Sequence, residues 1–346
     1  MATKRSDIIV PELFTPYVSE QTTQRDAFLA SGVVQPMAEL NATEGGDFVN
    51  IPNWKADLAG DFEVLTDSSS LTPGKIQAEK QIGVILHRGR AFESRDLAAL
   101  AAGADPMAAI GAKIGAYIAN QRQKDLLSCL SGVFGSINAN TNASALFDLC
   151  IDSAAADTPT TLSPKHVAKA KAILGDAGEK ISTICVHSAV FYDLVERKMI
   201  EYVTAGEARQ TALGTAQDAF GGSVAAAYGG NASVPTYCGL RVLVSDDVPT
   251  TGVAGAKEYS TFFFTPGAVG SGEQAGINTE TDRDILAKSD ALSVDLHYCY
   301  HPVGTKWATT DVNPTRAQLE TVAKWSKVYQ TKNIGIVRAT NVSNQD

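Results

Sequence analysis

Residues 297–307 read HYCYHPVGTKW, which sets His297, Cys299 and His301 at alternate positions of one short run. The chain holds five histidines and five cysteines, and three of those ten fall within five residues. Imidazole and thiolate are zinc ligands, and imidazole is also the acid–base group of neutral pH. On a strand, residues two apart share a face, so the three side chains would point one way. At a rise of about 3.3 Å per residue, however, His297 and His301 stand roughly 13 Å apart. Zinc bonds measure about 2.0–2.3 Å. One ion could take two neighbours of the three, never all three from one straight strand. Leu292, Val294, Leu296, Tyr298 and Tyr300 form the alternate, apolar set. The run therefore reads as a strand whose second face, with Ser293, Asp295, His297, Cys299 and His301, is polar or turned to an interface.

Other candidates are weaker. His87, His166 and His187 are isolated, outside any HExxH context. GAVGSGE (267–273) lacks both the dinucleotide spacing and the lysine of a Walker loop, and reads as a flexible turn. The acidic clusters SDD (245–247) and TETDRD (279–284) lack the spaced ligands and glycine of a calcium loop, and read as solvated or inter-subunit charge. There is no GxSxG elbow. Cys129, Cys150, Cys185, Cys238 and Cys299 are odd in number and form no CxxC pair, which argues against a zinc finger or disulfide framework. No catalytic, cofactor-binding or metal residue is assigned, and the reading is of a protein that is not an enzyme. A metal-dependent enzyme using His297, Cys299 and His301 stands as a remote alternative.

The elements around these residues have a definite order. Residues 1–46 look like an arm interrupted by Pro11, Pro16 and Pro36, with one short helix in TTQRDAFLASG. Residues 47–93 read as a long two-stranded excursion whose polar tip is TDSSSLTPG (66–74). An isolated hairpin is barely stable in water, so this one must lie on something else. Asp105 and Pro106 make a helix start, and Ile110, Ile114 and Ile118 carry its helical spacing until Gly132. At 1.5 Å per residue that helix is about 40 Å long. Ser163-Pro164 starts another helix, ISTICVH (181–187) a buried strand and AVFYDLVERKMI (189–200) a further helix, an α/β layer unit. Strands follow at 240–248, 259–267 and 334–339. The fold class is α+β.

The bulk numbers exclude several functions. With 346 residues, 44% hydrophobic and 19% charged, the composition is that of a soluble globular protein. No stretch of about 18 apolar residues spans a membrane, and the first residues lack a signal peptide's apolar core, which suggests a protein made first in a cytoplasm. A net charge of −9 without a Lys/Arg run argues against tight wrapping of nucleic acid; a chain of this charge beside DNA would enclose it, not grip it.

Arm, hairpin, long helix, α/β unit and return strand, in that order, resemble the major capsid proteins of tailed bacteriophages, the Hong Kong 97-type fold. The stretches ILHRGRAFESRDLAALAAGADPMAAI, SPKHVAKAKAILGDAG and HYCYHPVGTKWATTDVNPTRAQLETVAKW carry the same resemblance, over nearly the whole chain. It implies an N-terminal arm (1–46), an extended loop (47–93), a peripheral domain (94–159) with a spine helix at about 105–132, an axial domain (160–290), and a return to the peripheral domain (291–346). It implies inter-subunit contacts through the extended loop, for which Trp54, Phe62, Leu65, Lys75 and Ile76 are the candidates. The partners implied are many copies of the chain in hexamers and pentamers, with separate scaffolding, portal and decoration proteins. The shell would enclose double-stranded DNA without sequence-specific binding or a membrane, and would be assembled in a host bacterial cytoplasm into a virion. An encapsulin-like cellular compartment is the alternative within this fold.

Overall fold

In a computed structural model the structure describes residues 28, 31–41, 45–55, 62, 76–102, 106–135, 145–151, 160–204, 233–252 and 257–344. The chain passes through β1 (Val34–Pro36), β2 (Phe48–Trp54), β3 (Ala78–Val84) and β4 (Leu86–Arg95), then α1 (Asp96–Ala102) and α2 (Pro106–Phe134). Next come β5 (Cys150–Ile151), β6 (Thr160–Thr161), α3 (Pro164–Leu174), β7 (Thr183–Val186) and α4 (Ser188–Glu196). They are followed by β8 (Glu201–Thr204), β9 (Ser233–Tyr237), β10 (Leu240–Val244), β11 (Thr250–Thr251) and β12 (Glu258–Phe264). The long strands β13 (Val269–Asp284) and β14 (Ser289–Pro302) lead to β15 (Thr305–Trp307), α5 (Arg316–Leu319), β16 (Trp325–Lys327) and β17 (Ile336–Val342).

The central sheet has the order β5-β17-β12-β7-β10-β9-β8. Within it β12 reads EYSTFFF and is buried from Tyr259 to Phe264, because β7 and β17 flank it and both faces are covered. Strands β7 and β10 are parallel, and α4 lies in the crossover between them. Helix α3 begins as its Ser-Pro start predicts, with Ser163 and His166 forming a capping box around Pro164. Helix α4 stops at Glu196, short of the expected residue 200, where Lys198 takes a left-handed φ of 55°.

A second sheet, β1-β13-β14-β4, is built on the two long strands. The hairpin β2–β3 forms its own sheet, with Phe48 opposite Val84 and Trp54 opposite Ala78. The Ile85 amide donates to the Asp47 carbonyl and closes the hairpin at its root. Strand β4 leaves the hairpin and pairs with β14, so residues 86–95 run in the body's own sheet. The proposed tip, 66–74, falls outside the described residues, as does most of the short helix expected in the arm. The later part of that arm is not loose. Phe28, Val33, Val34 and Leu40 are buried, and β1 pairs parallel with β13.

Two sequence expectations are overturned by close backbone approach. GAVGSGE is not a flexible turn but the start of β13, from Val269 onward. Its glycines let the arm pass close by: a Cβ on Gly270 would lie 2.4 Å from Met37 Sδ, and one on Gly272 would lie 2.3 Å from the Leu40 carbonyl oxygen. Likewise Gly132 does not end α2, which runs on to Phe134 before Gly135 at φ 80°. Gly132 is instead where α5 and Trp325 touch the helix. Replacing it with alanine would set a Cβ 1.9 Å from the Leu319 carbonyl oxygen.

Alanine gains about 1 kcal/mol of helix propensity over glycine, but overpacking against an immovable backbone atom costs about 1–3 kcal/mol or more. Gly132→Ala is therefore expected to lower the melting temperature of the chain in a thermal scan, whereas Gly115→Ala, in open space on the same helix, raises it or leaves it unchanged.

Candidate assembly interface

Helix α2 has two unlike halves. Beyond Ile118 it sinks into the core, and Leu126, Leu127, Cys129, Leu130, Val133 and Phe134 are buried. Its first half is not covered: Pro106, Ile110 and Ile114 are only partly buried, and Tyr117 is exposed. Of the candidate spine residues, Ile118 is a core residue and Asp105 falls outside the described residues.

The buried half is fixed by a carboxylate. Asp125 is wholly buried among leucines and accepts hydrogen bonds from Tyr298 Oη at 2.5 Å and Arg88 Nε at 3.2 Å. Arg316 Nε also donates to it at 2.5 Å. Each arginine then reaches further: Arg88 to the Asn313 side chain and the Pro314 carbonyl, Arg316 to Gln121. One side chain thus joins α2 to β4, β14 and the start of α5. Burial first, and then the neighbouring Asp125, push the Tyr298 phenol well up, so it stays a donor. A turn earlier, Arg122 Nε donates to Tyr300 Oη at 2.9 Å, and its Nη2 lies 3.1 Å from Glu273 Oε1.

Strand β14 is covered on both faces where it crosses α2. Tyr298 and Tyr300 turn to the helix, as the alternation predicts. Cys299 and His301 face the hairpin root, not solvent or a neighbouring subunit: both are buried, and a Cβ on Gly83 of β3 would lie 3.0 Å from Cys299 Sγ. Burial pushes the Cys299 thiol up to about 12 and His301 down to about 4. His297 is separate from them. Its ring centroid lies 4.2 Å from that of His87, directly across the ladder, and its Nε2 lies 3.9 Å from Asp295 Oδ2. Burial and then His297 hold His87 below the usual imidazole range. Among the described residues no group of three or more His, Cys, Asp or Glu side chains could hold a metal ion. The three residues of HYCYH are dispersed by the fold, as the strand distance requires.

The acidic clusters have partners within the chain. Asp247 accepts from Gln123 at 2.8 Å and lies 3.9 Å from Lys124, so SDD is fastened to α2. Arg283 bridges Asp96 and Asp290 at 2.8 and 2.7 Å.

The hairpin emerges from the body at Gln81. Residues 81, 83 and 84 are buried, and Ala78 and Lys80 are exposed. On it, Trp54 is 66% exposed, Ile76 49%, and Phe62 is fully exposed. Leu65 and Lys75 fall outside the described residues. Single exposed apolar residues are ordinary, but several on one projecting hairpin mark a surface to be covered.

Comparison with known proteins gives the family. The family described as Gp13-like, major capsid protein 13-like, matches residues 37–335. A relative, the major capsid protein of Bacillus phage SPP1, is 36% identical over 345 residues, 97% of each chain. The chain belongs to the Gp13-like major capsid protein family. Among solved structures it resembles the cyanophage Pam1 capsid asymmetric unit, with a TM-score of 0.60 and 13% identity over 97% of each chain. It also resembles the capsid of Ralstonia phage GP4, with a TM-score of 0.57 and 12% identity over 96% of each chain. The fold is therefore the α+β phage capsid fold that the order of elements implies. A major capsid protein is a structural protein of the virion shell, and the metal-enzyme and encapsulin readings are not favoured. Among the described residues no helix is long and apolar enough to cross a membrane.

Sequence reasoning missed Asp125. The one available signal was a carboxylate falling inside the apolar run that ends in Leu126, Leu127 and Leu130. Removing one partner from a buried ion pair leaves the others uncompensated and costs about 3–5 kcal/mol. Asp125→Ala is expected to lower the unfolding free energy from a urea titration by that much, and Asp125→Asn by less, since an amide oxygen still accepts from Tyr298.

Proposed function

We propose that copies of this chain close into hexamers and pentamers of an icosahedral shell around double-stranded DNA, with the hairpin β2–β3 as the clamp between neighbours. One observation carries the clamp: Trp54, Phe62 and Ile76 are exposed on a hairpin whose root is buried and hydrogen-bonded. A two-stranded sheet with little core of its own needs a second surface to rest on. Leu65 and Lys75, between the same two strands, belong to the proposed contact. The half-open face of α2, with Pro106, Ile110 and Ile114, and the exposed Leu97 and Leu100 of α1 offer apolar surface for a neighbour. A stable interface buries about 1,200–2,000 Å² in total, and closed symmetry repeats each contact around the ring.

The charge supports a container. At −9 the chain has no excess of cations with which to condense DNA, so DNA would be held by enclosure. Scaffolding, portal and decoration proteins would be separate chains, and assembly would take place in the host cytoplasm.

Deleting residues 66–74 tests the clamp. Assembly, followed by electron microscopy and sedimentation of co-expressed protein, should fail while the melting temperature of the unassembled chain stays within a few degrees. The double variant Trp54→Ser, Ile76→Ser should weaken assembly in the same sense. Shells of normal yield from both would refute the clamp.

A further inference from the structure

The hairpin is mounted on the body by one polar side chain at the point where it emerges. Gln81 is buried, and its Oε1 accepts from the Gly304 amide at 2.7 Å while its Nε2 donates to Tyr329 Oη at 2.9 Å. The Gly304 contact fixes which end of the amide is oxygen. His301 Nε2, 3.2 Å from the same Oε1, must therefore be the protonated ring nitrogen and donate to it. Inward of Gln81, Gly83 lies flat on Cys299 and Leu40. Outward, Lys80 and Ala78 are exposed.

We propose that Gln81 is the pivot of the hairpin and that protonation of His301 releases it. This deepens the clamp reading and rests on it for its purpose, but the motion belongs to a single chain.

The physical reason is desolvation. His301 is 1% exposed, and its proton affinity is set by burial and, in the opposite sense, by the Thr305 backbone, with no carboxylate or cation contributing. The groups that face it are Gln81 and Gly83 of β3 and the backbone of Thr305 at the start of β15, with the Cys299 thiol beside Gly83 and the Tyr329 phenol beyond Gln81. Protonation leaves the bond to Gln81 intact but places a cation where no water or counter-charge meets it. Opening the root lets water in. Because the closed-state value of about 4 lies below the ordinary 6.5, the closed hairpin is favoured at neutral pH and loses ground as pH falls from 6.5 towards 4.

If opening restores the ordinary value, the opening constant rises roughly 30-fold between pH 7.5 and 5. The measurement is hydrogen exchange by mass spectrometry on the unassembled full chain, following peptides over Phe48–Trp54 and Ala78–Val84. Rates are corrected for the intrinsic pH dependence of exchange, with α2 peptides as the folding control. Wild type should show the rise in the hairpin and none in α2. His301→Gln keeps a donor but cannot titrate, and its hairpin should show less than half the wild-type slope on a logarithmic scale. Should that variant not fold, Gln81→Leu provides the second test, with a hairpin already open at pH 7.5 and insensitive to pH. A wild-type rise below about 5-fold, a His301→Gln slope of half the wild-type value or more, or a protected hairpin in Gln81→Leu each overturn the proposal. No assembly is needed, so normal shells from both the 66–74 deletion and the Trp54→Ser, Ile76→Ser variant would end the clamp and leave the pivot standing.

Discussion

One buried carboxylate holds together parts of the chain that would otherwise have little to keep them in register. Asp125 sits on a 29-residue helix and receives side chains from β4, β14 and α5. Helix α2 is one-sided for half its length, and an apolar stripe alone tolerates sliding and rotation by a residue or so. A carboxylate with donors from three directions does not. Taking an aspartate out of water is costly, and two arginines and a phenol mainly offset that cost. What the arrangement adds is position. The helix, the long two-stranded ribbon and the 313–316 segment meet at one rotation and one height.

That fixed position matters because the chain's extensions are long and its local cores small. The hairpin has almost no core, and the outer half of the ribbon carries exposed residues from Glu273 to Asp284. Such elements can be aimed only by what holds their roots. The ribbon is aimed through Tyr298 and Tyr300 on α2, and the hairpin through Gln81 and Gly83 on the opposite face of the same strand. Strand β14 is thus clasped between a girder and a lever. Within the HYCYH run Tyr298 and Tyr300 make directional polar contacts on one face and His301 on the other, while Cys299 packs on Gly83.

Much of this was legible from pattern. The apolar run at 259–264, the Ser163-Pro164 cap, the period-two strand at 292–301 and the long helix all obey local rules, and each is placed by residue type alone. What escaped was set by contacts distant in sequence. Gly132, Gly270 and Gly272 read as breakers, because nothing near them shows that Leu319, Met37 and Leu40 come within touching distance. Cys299 and His301 read as a polar or interface-facing strand surface, because only the fold brings Gly83 and Gln81 over them. Asp125 was hidden for a related reason: its three partners lie 37, 173 and 191 residues away. Helical periodicity counts an aspartate among leucines as a lapse in the stripe, although here it is the stripe's fixed point.

The contrast between the two roots points to a division of labour in a shell subunit. An ion network such as that around Asp125 is stiff, because moving one member strands several charges at once. The Gln81 root is neutral, small and partly peptide, so its opening exposes dipoles and one imidazole, at far lower cost. A subunit that must fold alone and then fit its neighbours needs both kinds of joint. The stiff one preserves the body, and in the proposed clamp the soft one would let the exposed hairpin with Trp54, Phe62 and Ile76 find its resting place on another copy.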